Sequence, residues 1–192
     1  MIDIIEKNVE DKYYVNTKRA DDLVSNVILG DNLPKEKINN IVQVGNIAAE
    51  KGFKNPQIGR VYDSYGIAPS ITTMQGGDRM PKVLIKVRKR TNKSEIYKIR
   101  RLTPKDCWRC MDFSDESFYK AQSSGVSNSQ LYKQAGNSIV VSCLYYIFEE
   151  LYKAMPGLFR NLTVTSFFSG IGAYEIALNR LCKTVNSCLT NK

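Results

Sequence analysis

Arg101-Leu102-Thr103-Pro104-Lys105-Asp106-Cys107-Trp108-Arg109-Cys110-Met111-Asp112-Phe113 is the stretch on which the fold turns. Thr103 can cap a helix, Pro104 suits its first position, and Asp106 sits where the acid of a capping box belongs. The helix that follows places Cys107, Cys110 and Met111 around Trp108. Cys107 and Cys110 make a single C-x-x-C pair. Zinc would need two more ligands, and the chain has neither histidine nor a second cysteine pair at finger spacing. The pair therefore reads as core, three apart on one helix face, and no metal is expected.

Upstream, residues 83–88 read as a strand, Arg90-Thr91-Asn92-Lys93-Ser94 as a turn, and residues 95–100 as the return strand. Gly52, Pro56, Gly59, Gly66, Pro69, Gly76, Gly77 and Pro81 break residues 51–81 into short strands and turns. Residues 21–29 suit a short helix. Downstream, residues 122–129 read as a Ser-rich loop, and Gly136-Asn137-Ser138 as a helix start. Val140, Leu144, Ile147, Phe148 and Leu151 then share one helical stripe, which Pro156-Gly157 ends. Residues 162–168 read as a buried strand, Ser169-Gly170-Ile171-Gly172 as a tight turn, and residues 173–181 as a further helix. Such a strand–Gly-x-Gly–helix unit can hold a nucleotide-like cofactor, because glycines admit close approach and the helix offers free N–H groups. By itself it is also an ordinary tight turn.

The chain has 192 residues, enough for one ordinary domain or two small ones, with 43% hydrophobic and 24% charged residues. Its net charge is +9, and residues 82–109 alone hold eleven positive and two acidic residues. That segment is either a solvated basic face or a phosphate-binding one. Absence of histidine excludes Ser-His-Asp and Cys-His catalysis within these residues. No apolar run reaches membrane-span length, and the first residues lack a signal-peptide core. Five cysteines at loose spacing suit a reducing compartment, so a cytoplasmic protein is expected.

Residues 101–113 resemble the ninth motif of the C5-cytosine DNA methyltransferases. Gln130-Leu131-Tyr132-Lys133-Gln134-Ala135-Gly136-Asn137-Ser138-Ile139-Val140-Val141 resembles their tenth, and Phe168-Ser169-Gly170-Ile171-Gly172 their first. Gly59-Arg60-Val61-Tyr62 and the run from Gly66 to Gly77 resemble the end of a target-recognition region. Asp3-Ile4-Ile5-Glu6 and Lys12-Tyr13-Tyr14 resemble its lead-in. The resemblance implies an α/β fold: a small target-recognition domain of strands and loops, with part of a Rossmann-like methyltransferase domain. It divides the chain into 1–100 (recognition region with its leading segment), 101–155 (motif nine and ten helices) and 156–192 (a truncated cofactor strand–turn–helix).

By the same resemblance, S-adenosylmethionine would contact Phe168, Ser169, Gly170, Ile171 and Gly172, with Asn137 and Ser138 completing the pocket. Ala173 stands where the family often has a second glycine. Ser70 and Ile71 would lie near the target base, with Thr72, Thr73, Gln75 and Arg79 in the same DNA-facing loop. Lys86, Arg88, Lys89 and Arg90 are phosphate candidates from charge alone. The motif order nine, ten, one is a permutation of the family's usual layout. No proline is followed by cysteine, so the family's nucleophile is missing, as are its Glu-Asn-Val segment and its eighth-motif arginines. No acid in residues 183–192 matches the one expected to hold the cofactor ribose. Three expectations follow. The chain is one subunit of a split enzyme that acts on double-stranded DNA with a second polypeptide, an inactive truncated remnant, or a DNA-binding module without catalysis.

Overall fold

The computed structural model describes residues 1–30, 36–49, 54–74, 78–88, 95–160, 162–167 and 169–190. Four strands form one sheet in chain order: β1 (Gln43–Asn46), β2 (Arg60–Asp63), β3 (Lys82–Arg88) and β4 (Glu95–Arg101). β3 and β4 pair antiparallel from Lys82↔Arg101 to Arg88↔Glu95, as the strand–turn–strand pattern predicts. The turn itself lies outside the described residues.

Side chains of β3 alternate between two cores, as the strand period of two requires. Val83 and Ile85 enter the larger core, and Leu84 the smaller. The smaller one is closed by α1 (Lys18–Leu29), whose Ala20, Leu23, Val24 and Val27 pack against Val61, Leu84 and Ile99. Thr17 caps α1 by accepting from the Ala20 amide at 3.3 Å. Gly45 faces Leu23 so closely that a Cβ would stand 2.4 Å from its Cδ1. The open edge of β4 is covered by the lead-in segment, since Val15 N donates to Ile99 O at 2.9 Å and Tyr14 bridges Arg100.

Helices α2 (Pro104–Cys110), α3 (Asp115–Ser123), α4 (Asn128–Asn137), α5 (Val141–Ala154) and α6 (Ala173–Thr190) build the other side. The capping box at α2 is present: Asp106 N donates to Thr103 Oγ1 at 3.0 Å, and Thr103 N to Asp106 Oδ2 at 2.8 Å. Cys107 and Trp108 are buried. Trp108 Nε1 donates to Leu131 O at 3.0 Å and Tyr132 Oη to Leu102 O at 2.7 Å, which locks α2 to α4. Arg100 and Asp106, both fully buried, pair at 2.6 Å across the end of β4. Asp106 also accepts from Glu6 N at 2.7 Å, so the lead-in, the sheet and α2 share one polar junction.

Three sequence expectations are corrected. Residues 128–137 form a helix, with Ser127 as N-cap accepting from the Gln130 amide. Gly136-Asn137-Ser138 ends that helix rather than starting the next, which begins at Val141. The α5 stripe buries Val141 and Phe148, whereas Ile147 is 60% exposed. Residues 162–167 form no strand and are exposed throughout. An extended segment becomes a strand only by pairing, and the described sheet is assembled from residues 43–101.

Candidate functional site

β2 and β3 pair in parallel, Val61 with Lys82. Parallel neighbours need a crossover, and residues 64–81 supply it, with no helix among the described ones. This crossover holds the DNA-facing loop of the sequence reading. Its far end is anchored by Asp78, at φ 56°, whose carboxylate accepts from Arg101 and from Lys82. Lys82 is 1% exposed and also donates to Ile58 O at 2.6 Å and Asp78 O at 3.0 Å. Burial pushes its ammonium pKa down, against the pull of Asp78. Arg79, a DNA-contact candidate from the sequence, is exposed beside the anchoring pair of Asp78 with Lys82.

On this loop Ser70 is exposed, Ile71, Thr72 and Thr73 are half-buried, and Met74 is buried at φ 50°. Gln75 lies outside the described residues. Lys86 is exposed on β3, whereas Lys89, Arg90 and the side chain of Arg88 also fall outside them. Much of the +9 segment is neutralised internally. Lys82 and Arg101 meet Asp78, Arg100 meets Asp106, Lys105 meets Glu6 at 2.7 Å, and Arg109 grips Asp115 through two bonds of 2.6 Å. Five of the eleven cations are thus held by acids, while Lys86 and Lys98 are exposed on β3 and β4.

α6 sets the glycine turn beside α4. Ala173, Ala177 and Leu181 are buried, and the Phe148 and Tyr174 rings meet at 4.7 Å. Asp112, at φ 63°, accepts from Ser142 at 2.5 Å and from Arg180 at 2.7 Å, tying the end of α2 to α5 and α6. In the turn, Gly172 N donates to Ser169 O at 3.0 Å, and Gly172 O accepts from Ile176 to begin α6. Gly170 at φ 59° and Gly172 at φ 80° occupy the left-handed region, which favours glycine.

A cleft of about 450 Å³ opens between this turn and α4. Ser169, Gly170 and Ile171 line one wall, and Asn137 and Ser138 the other. Gly172 stands just outside the lining, and Phe168 lies outside the described residues. α4 adds Gln130, Lys133 and Gln134, which the sequence reading missed. Their spacing back from Asn137 is helical, so reading residues 128–137 as a helix would have found them. Gln134 Oε1 is buried without a hydrogen-bond partner. A Cβ at Gly170 would meet nothing within 4 Å. An open glycine turn, an unused acceptor and two short polar side chains suit a small organic ligand that carries donor groups.

Among the described side chains, no cysteine lines this cleft. Burial pushes the Cys107 thiol well up and that of Cys110 up to about 12, the opposite of what a thiolate nucleophile needs. Cys143 and Cys182 are exposed on α5 and α6 and do not line the cleft. Among the described residues no cluster could hold a metal ion, and no helix is long and apolar enough to cross a membrane.

Residues 1–153 match the family model of the C-5 cytosine-specific DNA methylases. An orphan methyltransferase of Bacillus phage SPbeta is 37% identical over 186 residues, spanning 78% of this chain and 41% of its own length. A putative type II methyltransferase of Bacillus subtilis strain 168 matches to the same extent. An orphan methyltransferase of Bacillus phage rho11s is 64% identical over 55 residues, 29% of this chain and 11% of its own. The chain spans about two fifths of the length of the first two relatives. The glycine turn lies beyond the family match, which ends before it at residue 153. By the extent of that match, the chain belongs to the C-5 cytosine-specific DNA methylase family.

Proposed function

We propose that this chain provides target recognition and part of the S-adenosylmethionine site of a DNA (cytosine-5-)-methyltransferase. One observation carries the reading. The cleft gathers Asn137 and Ser138 with Ser169, Gly170 and Ile171, although all of α5 separates the two groups in sequence. S-adenosylmethionine, when bound, would supply the methyl group. Asn137, Ser138 and the unpaired Gln134 Oε1 would hold its polar ends, and the Ser169–Gly172 backbone would run along it. Residues 70–73 and 79, with Lys86 and the hairpin cations, would face double-stranded DNA.

Methylation at C5 of cytosine requires a thiolate that attacks C6 and makes C5 nucleophilic. The sequence holds no Pro-Cys pair, and Cys107, Cys110, Cys143 and Cys182 line no part of the cleft, which supports a nucleophile supplied from elsewhere. A second polypeptide is the proposed source, which makes this a split and permuted enzyme. Incubating the chain with candidate partner chains, duplex DNA and tritiated S-adenosylmethionine tests this. Labelled 5-methylcytosine is expected only in a mixture. Absence of label in every combination sinks the split-enzyme reading. Cytosine labelling by this chain alone sinks it as well.

A further inference from the structure

The structure assigns a positioning role to Gly136, a residue that lines neither the cleft nor the expected DNA-facing surface. A Cβ on Gly136 would stand 2.3 Å from the Thr72 carbonyl carbon and oxygen and 2.5 Å from Thr73 N. All three are backbone atoms, so no side-chain rotation relieves the clash. Real Cβ atoms essentially never approach that closely. The DNA-facing loop thus rests its main chain directly on α4, at the point where α4 has no side chain.

α4 separates this contact from the cleft. Gln130 and Gln134 line the cleft and, four residues apart, share one helix face. Gly136, two residues beyond Gln134, points away from that face and against the loop. The next residue, Asn137, returns to the cleft. One helix therefore touches the loop on one side and the ligand cleft on the other. On either side of residues 75–77, Met74 is buried and Asp78 is anchored by Lys82 and Arg101. Displacement of residues 72–73 is transmitted to α4, and a ligand that settles α4 settles the loop. Gly136 makes the DNA-facing and cofactor sites one thermodynamic unit, a coupling that is reciprocal by linkage.

This rests on the function proposed above, and the test separates the two. Duplex affinity of the whole chain is measured by fluorescence anisotropy, with and without saturating S-adenosylmethionine. Cofactor affinity is measured by calorimetry. The unsubstituted chain is expected to bind both, with the cofactor tightening duplex binding about fivefold or more. Gly136→Ala is expected to bring that factor to about one while cofactor affinity changes less than about threefold. Gly157→Ala, where a Cβ meets nothing within 4 Å, is expected to leave both unchanged. A thermal melt supplies an independent sign. Helix propensity alone would make alanine stabilising at this position in α4, whereas the clash lowers Tm. Full coupling in Gly136→Ala, or a raised Tm, overturns the role assigned to Gly136. A chain that binds neither ligand overturns the proposed function, and the coupling with it.

Discussion

Leu84 and Leu162 lie in stretches of similar character, Val83-Leu84-Ile85 and Leu162-Thr163-Val164-Thr165. Both are rich in β-branched and aliphatic residues, which favour strands. Leu84 is 3% exposed in a strand paired on both sides, whereas Leu162 is 39% exposed with no ladder. Propensity is equal and the outcome differs. The first stretch finds β2 and β4 within its own chain, and the second finds no strand among the described residues. In the same region Phe167 is 81% exposed and Val164 37%.

The sharpest way to break this contrast is to attack the junction that fuses the sheet to the helices. Asp106→Ala leaves Arg100 buried and without its acid, and should lower stability by about 3–5 kcal/mol in urea unfolding. A loss under about 1 kcal/mol would show that the sheet and the helices are not one core. Next, Leu84→Ala should cost about 2–5 kcal/mol, while Leu162→Ala should stay within about 0.5 kcal/mol. Similar losses for the pair would mean that residues 162–167 are packed after all. Hydrogen exchange sharpens the same point. Amides of residues 83–85 and of the buried face of α6 should be protected, and those of 162–167 should exchange fast. Slow exchange across 162–167 in the isolated chain would contradict the structure, and protection gained only with a partner chain would support the split enzyme.

The smallest expected effect concerns the scaffold ion pair of Arg109 with Asp115. The hydrogen bonds from Arg109 hold the Asp115 carboxyl below its ordinary value. A carboxyl with a depressed folded pKa contributes stability above its unfolded pKa and loses it as pH falls through the folded one. Asp115→Asn should therefore cost about 0.5–1 kcal/mol at neutral pH and nothing in strong acid. A difference that persists unchanged at low pH would show that charge is not its origin.

Local signals carried much of the molecule. The Thr103-Pro104-Asp106 pattern marked α2, and alternation in Val83-Leu84-Ile85 marked β3, because capping and pleating depend only on near neighbours. Ser127 with Gln130 was an equally local capping pattern for α4, yet Gly136 masked it by looking like the head of a helix. The +9 of residues 82–109 was correct as a count and incomplete as a surface, since Asp78, Glu6 and Asp115 reach in from elsewhere to pair with it.

The sequence by itself determined the family, through two motifs whose residues are recognisable one by one, and it determined that a Pro-Cys nucleophile is not present. Tertiary structure alone decided three things. It left residues 162–167 unpaired, because a strand is defined by its partner. It brought Asn137 and Ser138 to the glycine turn, because α5 and α6 pack face to face. It laid the main chain of Thr72 and Thr73 on Gly136, because the parallel pairing of β2 and β3 forces a crossover over the helical side. Long-range contacts of this kind depend on which surfaces meet, and no local pattern encodes them.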